Sequence, residues 1–128
     1  MKLLIDTHTY VWLSENPKRI GRQAERRLED GRNEVYLSIV SVWETAIKIG
    51  LGKLTLDGPL AKHIERGLER LKLTLLPLTR EHAFAIAQLP HHHRDPFDRM
   101  LIAQAIHEDM AIVTADVAFD AYSVRRIW

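Results

Sequence analysis

Continuous apolar runs alternate along this chain with segments in which apolar residues recur every three or four positions. The continuous runs predict buried strands at residues 2–5, 35–37, 73–78, 110–114 and 124–127. The periodic segments predict helices at residues 7–13, 21–30, 60–71, 80–89 and 96–108, with a further helical turn after residue 114. They also predict a helix that is capped by Ser38 or Ser41 and runs to about residue 49. Strands that alternate with helices favour right-handed crossovers. We therefore predict a three-layer α/β/α fold with a central, mainly parallel sheet.

Proline and glycine residues support these boundaries. Pro17 blocks continuation of the first helix, and Gly31 and Gly50 stand where the second and third helices end. Pro77 has no backbone N–H to donate within a sheet. The strand that contains it is therefore predicted to lie at an edge of the sheet or to end there.

Length and composition limit the organisation of the chain. Its 128 residues, 46% of them hydrophobic, suffice for one core, so we predict a single domain over residues 1–128. The absence of cysteine excludes disulfides, thiolate zinc sites and cysteine nucleophiles, so oxygen or imidazole would have to hold any metal. The first apolar run is too short for a signal peptide and none reaches membrane-spanning length, so we expect a soluble cytoplasmic protein. A formal net charge of +1 indicates no partner by itself.

Four acidic residues stand where a hydrophobic, capping or turn residue is the usual choice: Asp6, Glu44, Asp98 and Asp116. Asp6 directly follows the first predicted strand, and Asp116 closely follows the apolar run that ends at Val113. Each aspartate could simply cap the helical segment that comes next, because its carboxylate accepts hydrogen bonds from free backbone N–H groups. These two positions alone do not separate a cap from a functional site.

Glu44 and Asp98 are more informative because each interrupts the apolar face of a predicted helix. Glu44 follows Val40 by one helical turn, and Asp98 lies on the same face as Leu101. Asp98 is also a first-turn acid that the helix dipole would favour. Two inward acids and two strand-end acids are explained most simply by one shared cation, since carboxylates without a counter-ion repel one another.

The ligand type indicates which ion this site would take. Carboxylate oxygens without thiolate or a well-spaced imidazole pair favour Mg²⁺ or Mn²⁺ over zinc. One or two such ions would polarise a phosphodiester and lower the pKa of an attacking water. The residues therefore predict hydrolytic phosphoryl transfer.

A histidine run close to these acids has two interpretations. His91, His92 and His93 are adjacent in a loop, so they cannot all face one ion. A solvated loop beside the site is the favoured interpretation, and substrate contact or weak metal binding is the alternative.

Cationic and aromatic residues near the acids are interpreted in the same way. Several cations could receive substrate phosphates, although a solvated surface is the simpler explanation for each: Lys48, Lys53, Arg94 and Arg99. Trp12 and Trp43 are predicted to belong to the core rather than to stack on bases.

Four blocks of the sequence together resemble the signature of a PIN-domain ribonuclease, and most closely the VapC-type toxins of type II toxin-antitoxin systems. They are residues 3–8 (LLIDTH), 41–48 (SVWETAIK), 95–105 (DPFDRMLIAQA) and 113–116 (VTAD). The resemblance implies a PIN-like fold, a Mg²⁺- or Mn²⁺-dependent endoribonuclease activity on RNA, and a homodimer. It also implies inhibition by a cognate antitoxin protein that inserts into the active-site groove.

The resemblance also assigns roles to residues. Asp6, Glu44, Asp98 and Asp116 match the acidic quartet of the family, as catalytic residues and metal ligands. Thr7 and Thr114 are expected to orient a carboxylate or a bound water. Asp95 is interpreted as a helix cap and Asp120 as a turn residue, and either could approach the metal through water.

Two other classes of function remain as alternatives. A signalling receiver is also an α/β domain with an acidic Mg²⁺ pocket, but it needs paired acids after the first strand and an acid at the end of a central one. Neither is present here, since Asp6 has no acidic neighbour and residues 73–78 contain no acid. A non-catalytic PIN-fold module that binds RNA or an antitoxin is the second alternative, which only an activity measurement separates from the enzyme.

Overall fold

The computed structural model describes residues 1–128 as strands and helices in alternation. The strands are β1 (Lys2–Ile5), β2 (Glu34–Ser38), β3 (Leu73–Leu76), β4 (Ala111–Val113) and β5 (Arg126–Ile127). The helices are α1 (Thr7–Glu15), α2 (Arg22–Glu29), α3 (Ile39–Gly50), α4 (Leu60–Arg70), α5 (Arg80–Ile86) and α6 (Pro96–His107). Short 3-10 turns lie at Pro17–Arg19 and Val117–Ala121.

The five strands form one sheet in the order β3-β2-β1-β4-β5, and every neighbouring pair is parallel. The chain leaves β1 towards β2 and β3 on one side, then returns past β1 to place β4 and β5 on the other. The order of the strands therefore reverses between β1 and β4. In open parallel sheets, ligands bind at the carboxyl ends of the two strands that flank such a reversal.

The sheet is buried on both faces because alternate strand residues point in opposite directions. Leu3 and Ile5 of β1 pack into a cluster with Tyr10 of α1 and Ile64 of α4. Leu4 packs on the other face, in a cluster that includes Leu101, Ile102 and Ala105 of α6. Helices thus cover both faces, and the prediction of a three-layer α/β/α fold with a parallel sheet is confirmed.

The predicted boundaries differ from the structure where local hydrogen bonding changes. β3 is an edge strand that ends at Leu76, so Pro77 terminates it as expected. α5 ends at Ile86 rather than at residue 89, because the next backbone N–H groups bond three residues back, as that of Leu89 does to Ile86. No helix combines the length and the apolar composition that crossing a lipid bilayer requires.

The prediction that Trp43 belongs to the core is wrong. Its side chain is 58% exposed and meets the ring of Phe97 edge to face, with the ring centroids 5.0 Å apart. Trp43 precedes the buried Glu44 by one residue, which turns it about 100° around α3 and away from the interior.

Candidate functional site

The structure brings the four predicted acids to one place beside the reversal in strand order. Asp6 follows β1, and Asp116 lies just beyond the neighbouring β4. Glu44 reaches the same place from α3 and Asp98 from the first turn of α6. Contacts link three of these acids: the Thr114 hydroxyl contacts both Asp6 and the backbone N–H of Asp116, and His93 Nε2 lies within 3.4 Å of both Asp116 and Asp98.

Asp6 is buried and held by three hydrogen bonds. Its Oδ1 accepts from the backbone N–H of Thr9 (2.9 Å) and from the Thr9 hydroxyl (2.6 Å). Its Oδ2 accepts from the Thr114 hydroxyl at 2.6 Å. Asp6 therefore does cap α1, and the same bonds also fix the direction in which its carboxylate faces the site.

The sequence analysis missed Thr9. Its position three residues after a strand-end aspartate is the signal that could have identified it, because that is where a cap residue finds a partner.

Glu44 is 3% exposed and makes one hydrogen bond and one ion pair. Thr7 donates to its Oε1 at 2.7 Å, and the Thr7 hydroxyl also lies 2.9 Å from the hydroxyl of Ser41. Lys48, one turn further along α3, places its ammonium 2.8 Å from Oε2. The ion pair supplies the counter-charge that a buried carboxylate needs, so Lys48 is more than a solvated surface residue.

Asp98 has the most perturbed electrostatic environment among these acids. Burial raises its pKa to about 8, and the negative charges of Asp95, Asp6, Glu44 and Asp116 add to the effect. Burial and nearby negative charge both disfavour the ionised form of this carboxyl. A divalent cation would supply the missing positive charge.

Asp116 is the most exposed of the four, with 43% of its side chain accessible. Its Oδ1 accepts from the backbone N–H of Ala118, so it caps the 3-10 turn that follows. Its own backbone N–H donates to the Thr114 hydroxyl at 3.0 Å, while that hydroxyl donates to Asp6. Thr114 thus links the two strand-end acids. Thr7 and Thr114 both contact the carboxylates they were expected to orient, and their functional role stays a prediction.

Asp95 and Asp120 lie in the helix cap and the turn that were predicted for them. Asp95 caps α6, because its Oδ1 accepts from the backbone N–H groups of Phe97 (2.8 Å) and Asp98 (3.3 Å). Asp120 lies in the 3-10 turn and accepts from Arg126 Nε at 2.9 Å.

His93 enters the site, which the solvated-loop interpretation of the histidine run did not anticipate. Its Nε2 lies 3.3 Å from Asp98 Oδ2 and 3.4 Å from Asp116 Oδ2. His91 and His92 are exposed, so the interpretation holds for these two. The run divides in this way because adjacent loop residues point in different directions.

The buried polar side chains of Arg99 and Tyr122 hold the loop that carries His93. Arg99 is 7% exposed, and its guanidinium donates to the backbone carbonyls of Pro90 (2.7 Å) and Leu89 (3.3 Å). The Tyr122 hydroxyl accepts from the backbone N–H groups of His92 (2.9 Å) and His93 (2.8 Å). Arg99 is therefore occupied with the loop, and both predictions for it, phosphate contact and solvated surface, are wrong.

The residues at the site fit a hard divalent cation. Three of its potential ligand atoms lie within 4.8 Å of one another, one each from His93, Asp98 and Asp116. The buried carboxylates of Asp6 and Glu44 would add oxygen ligands, which Mg²⁺ and Mn²⁺ prefer.

A second group of possible ligands, His82, His107 and Glu108, is a weaker candidate. His82 accepts a backbone N–H at Nδ1 (3.1 Å) and contacts Glu108 through Nε2 (2.8 Å), so it is already satisfied.

Comparisons with known proteins agree with this geometry. The family model described as PIN domain matches residues 3–124. The chain is 26% identical over 115 residues to Ribonuclease VapC22 from Mycobacterium tuberculosis, which covers 89% of this chain and 86% of that protein.

Solved structures share the fold. VapBC2 from Rickettsia felis, bound to a DNA fragment from its promoter, matches with a TM-score of 0.75 at 16% identity over 100% of both chains. FitAcB from Neisseria gonorrhoeae matches with a TM-score of 0.59 at 25% identity, over 97% of this chain and 95% of that one.

Proposed function

This chain belongs to the PIN domain family, and from that premise we propose that it is a metal-dependent endoribonuclease that acts as the toxin of a toxin-antitoxin pair. The observation that carries the proposal is the meeting of acids from four separate parts of the chain at one edge of the sheet, where burial and the neighbouring charges raise the pKa of Asp98 to about 8. Carboxylates that lie close together repel one another, and a bound dication would relieve that repulsion. We propose that the chain acts as one domain over residues 1–128.

Four carboxylates would hold Mg²⁺ or Mn²⁺: those of Asp6, Glu44, Asp98 and Asp116. When bound, such an ion polarises the scissile phosphodiester and lowers the pKa of a bound water. Thr9 and Thr114 keep the Asp6 carboxylate fixed, and Thr7 does the same for Glu44. Fixed ligands need no reorganisation during the reaction, which is how such sites lower a barrier.

The reaction joins the water oxygen to phosphorus and breaks the bond from phosphorus to one ribose oxygen. The water proton leaves to a site carboxylate or to solvent, and the departing ribose oxygen takes up a proton. Because the nucleophile is water rather than the ribose 2′-hydroxyl, neither product carries a 2′,3′-cyclic phosphate.

A groove beside Glu44 supports RNA as the substrate. Lys48, Lys53 and Arg94 line it, together with the apolar side chains of Ile47 and Phe97. The cations suit the phosphate backbone, and apolar or aromatic surface suits unstacked bases. The net charge of +1 includes the acids of the site, so the remaining surface is more basic than the total suggests.

Protein partners are supported by the apolar surface of α3. Four apolar side chains of α3 and of its C-terminal cap are each more than one third exposed: Ile39, Trp43, Ile47 and Leu51. The solved relatives include complexes described as toxin-antitoxin systems. We propose a cognate antitoxin protein and a second copy of the chain as partners, and the cytoplasm as the place of action.

Cleavage of RNA by the purified chain tests the proposal. With Mn²⁺ we expect cut fragments without a cyclic phosphate, and excess EDTA should abolish the cutting. Asp6→Asn should be inactive, whereas Asp57→Asn, which alters an exposed acid outside the site, should cut as wild type does.

Unchanged RNA in the presence of Mn²⁺, or equal cutting by Asp6→Asn, would refute the enzyme. If such a protein still bound RNA or an antitoxin, the non-catalytic module would be the correct function.

A further inference from the structure

We propose that His8 and Trp12 form a subsite that binds one unstacked base of the RNA substrate, next to the phosphate that is cut. The inference rests on the proposed function, because it takes RNA as the ligand that reaches the acid quartet. It adds a binding site for which neither the quartet nor the cationic groove beside Glu44 accounts.

A cleft of about 280 Å³ lies directly beside two acids of the quartet. Its lining consists of six residues: Asp6, His8, Trp12, Thr114, Ala115 and Asp116. It shares no residue with the groove that contains Glu44, Lys48 and Phe97. The quartet therefore borders two separate depressions, so an RNA strand that crosses the acids can enter both.

The aromatic side of the cleft comes from α1. His8 and Trp12 are four residues apart, so they lie on the same face of the helix, and their ring centroids are 5.9 Å apart. His8 is exposed and Trp12 is half-buried. Neither core cluster contains Trp12, so the prediction of a core position is wrong for this residue as well.

Two contacts outside the cleft hold the indole ring of Trp12. The guanidinium of Arg19 lies 4.1 Å from the ring centroid, and the ring of Trp128 meets it at 61° with the centroids 5.7 Å apart. Neither of these residues lines the cleft. A ring that is already held in place loses little freedom when a ligand stacks on it, which favours binding.

The charges around the cleft favour a neutral aromatic ligand. Its lining contains two carboxylates and no lysine or arginine, so a phosphate has no cationic side chain to bind there. A cationic side chain of a protein partner would be attracted to the acids, but it would be repelled once they hold a divalent cation. A nucleobase is planar and uncharged, and stacking on aromatic rings is a common way in which proteins bind the bases of single-stranded RNA.

Three substitutions isolate the stacking contact. Trp12→Ala removes the larger ring, Trp12→Phe keeps an aromatic surface, and His8→Ala removes the smaller ring from an exposed position. Phe84→Ala is the matched control, because Phe84 is 67% exposed and lines neither the cleft nor the groove.

The experiment compares a short single-stranded RNA with copies that each lack the base of one nucleotide. The measured quantity is the ratio between intact and abasic RNA, in kcat/KM for cutting with Mn²⁺ and in affinity for binding in EDTA. For wild type we expect the loss of one base beside the cut to lower both by roughly 5- to 150-fold. Trp12→Phe should keep most of this ratio and Phe84→Ala all of it, whereas His8→Ala should reduce it and Trp12→Ala should bring it close to one.

The ratio separates stacking from a structural role. A variant that is only partly folded loses activity on intact and abasic RNA in the same proportion, so its ratio stays that of wild type. A ratio near one in wild type, or the same ratio in Trp12→Ala as in wild type, would overturn the inference and leave the cleft to a protein partner.

Failure of the proposed function would be recognised separately. If Mn²⁺ supports no cutting but binding in EDTA still depends on Trp12 and on one base, the enzyme is refuted while the subsite stands.

Discussion

Replacing Asp98 with asparagine should stabilise the metal-free protein. Burial, together with the charges of the surrounding acids, raises the pKa of the Asp98 carboxyl from 3.8 to about 8. The folded protein therefore retains a proton at neutral pH that the unfolded chain releases, and retaining it costs free energy of folding. Asparagine has nearly the same shape and carries no titrating group, so it removes this cost.

The magnitude follows from the pKa difference. One pKa unit corresponds to about 1.36 kcal/mol, so the three units between the unfolded pKa and pH 7 set an upper limit of about 4 kcal/mol. The Asp98 side chain is 20% exposed, and solvent screening reduces the effect. We expect a gain of roughly 2 kcal/mol at pH 7.

The dependence on pH has a definite sign. Below pH 4 the carboxyl is protonated in both states, so wild type and Asp98→Asn should be about equally stable. Between pH 4 and 8 the unfolded chain binds fewer protons than the folded protein, so wild type loses stability as the pH rises. The advantage of the variant should therefore grow across this range and stay constant above it.

Urea denaturation in EDTA at pH 4, 6 and 8 measures this difference. Asp57→Asn is the control, since Asp57 is an exposed acid in the loop before α4. Addition of Mn²⁺ should reverse the order, because wild type alone keeps the full ligand set. A variant that is no more stable than wild type at pH 8 in EDTA would refute the electrostatic account of the site.

Two further predictions concern single contacts. Gly67→Ala should lower the free energy of unfolding by about 2 kcal/mol or more, because a Cβ there would lie 2.5 Å from the buried Tyr10 hydroxyl. Thermal denaturation of the variant and of wild type measures this difference. Thr114→Val removes the hydroxyl that donates to Asp6 and accepts from the Asp116 N–H. It should weaken Mn²⁺ binding by about 10–100-fold while the protein stays folded, as measured by calorimetric titration.

Matched substitutions control these two. Gly50→Ala places a Cβ where nothing beyond its chain neighbours and its own helix backbone lies within 4 Å, so it should not destabilise as Gly67→Ala does. Thr74→Val changes an exposed threonine of β3 and should leave Mn²⁺ affinity unchanged. Equal effects within either pair would mean that the contact named above is not the cause.

The sequence was sufficient to predict the sheet and the positions of the acids. Apolar runs such as residues 3–5 are buried on both faces of the sheet, and that pattern is local information. Because the carboxyl ends of parallel strands lie on one edge, the residues that follow two adjacent strands meet there. The place of Asp6 beside Asp116 therefore follows from strand order, while Glu44 and Asp98 were identified by their inward faces.

Features that depend on side-chain direction in loops could not be predicted. The same sequence signal applies to His91 and His93, yet only His93 turns towards the acids, because Tyr122 and the Asp95 N–H orient its backbone and ring. Arg99 resembles a surface cation in the sequence, but it is buried and its guanidinium donates to two carbonyl groups of the loop that precedes α6. Neither the contact of Tyr122 with His93 nor that of Arg99 with the loop carbonyls leaves a periodic pattern in the sequence.

The most direct test of the central claim is a crystal of the protein soaked in MnCl₂, measured for anomalous scattering from manganese. We predict one strong anomalous peak within coordination distance of at least two carboxylates of the quartet Asp6, Glu44, Asp98 and Asp116. Absence of a peak there, or a stronger peak at His82, His107 and Glu108, would contradict the assignment of the four acids to a single cation site.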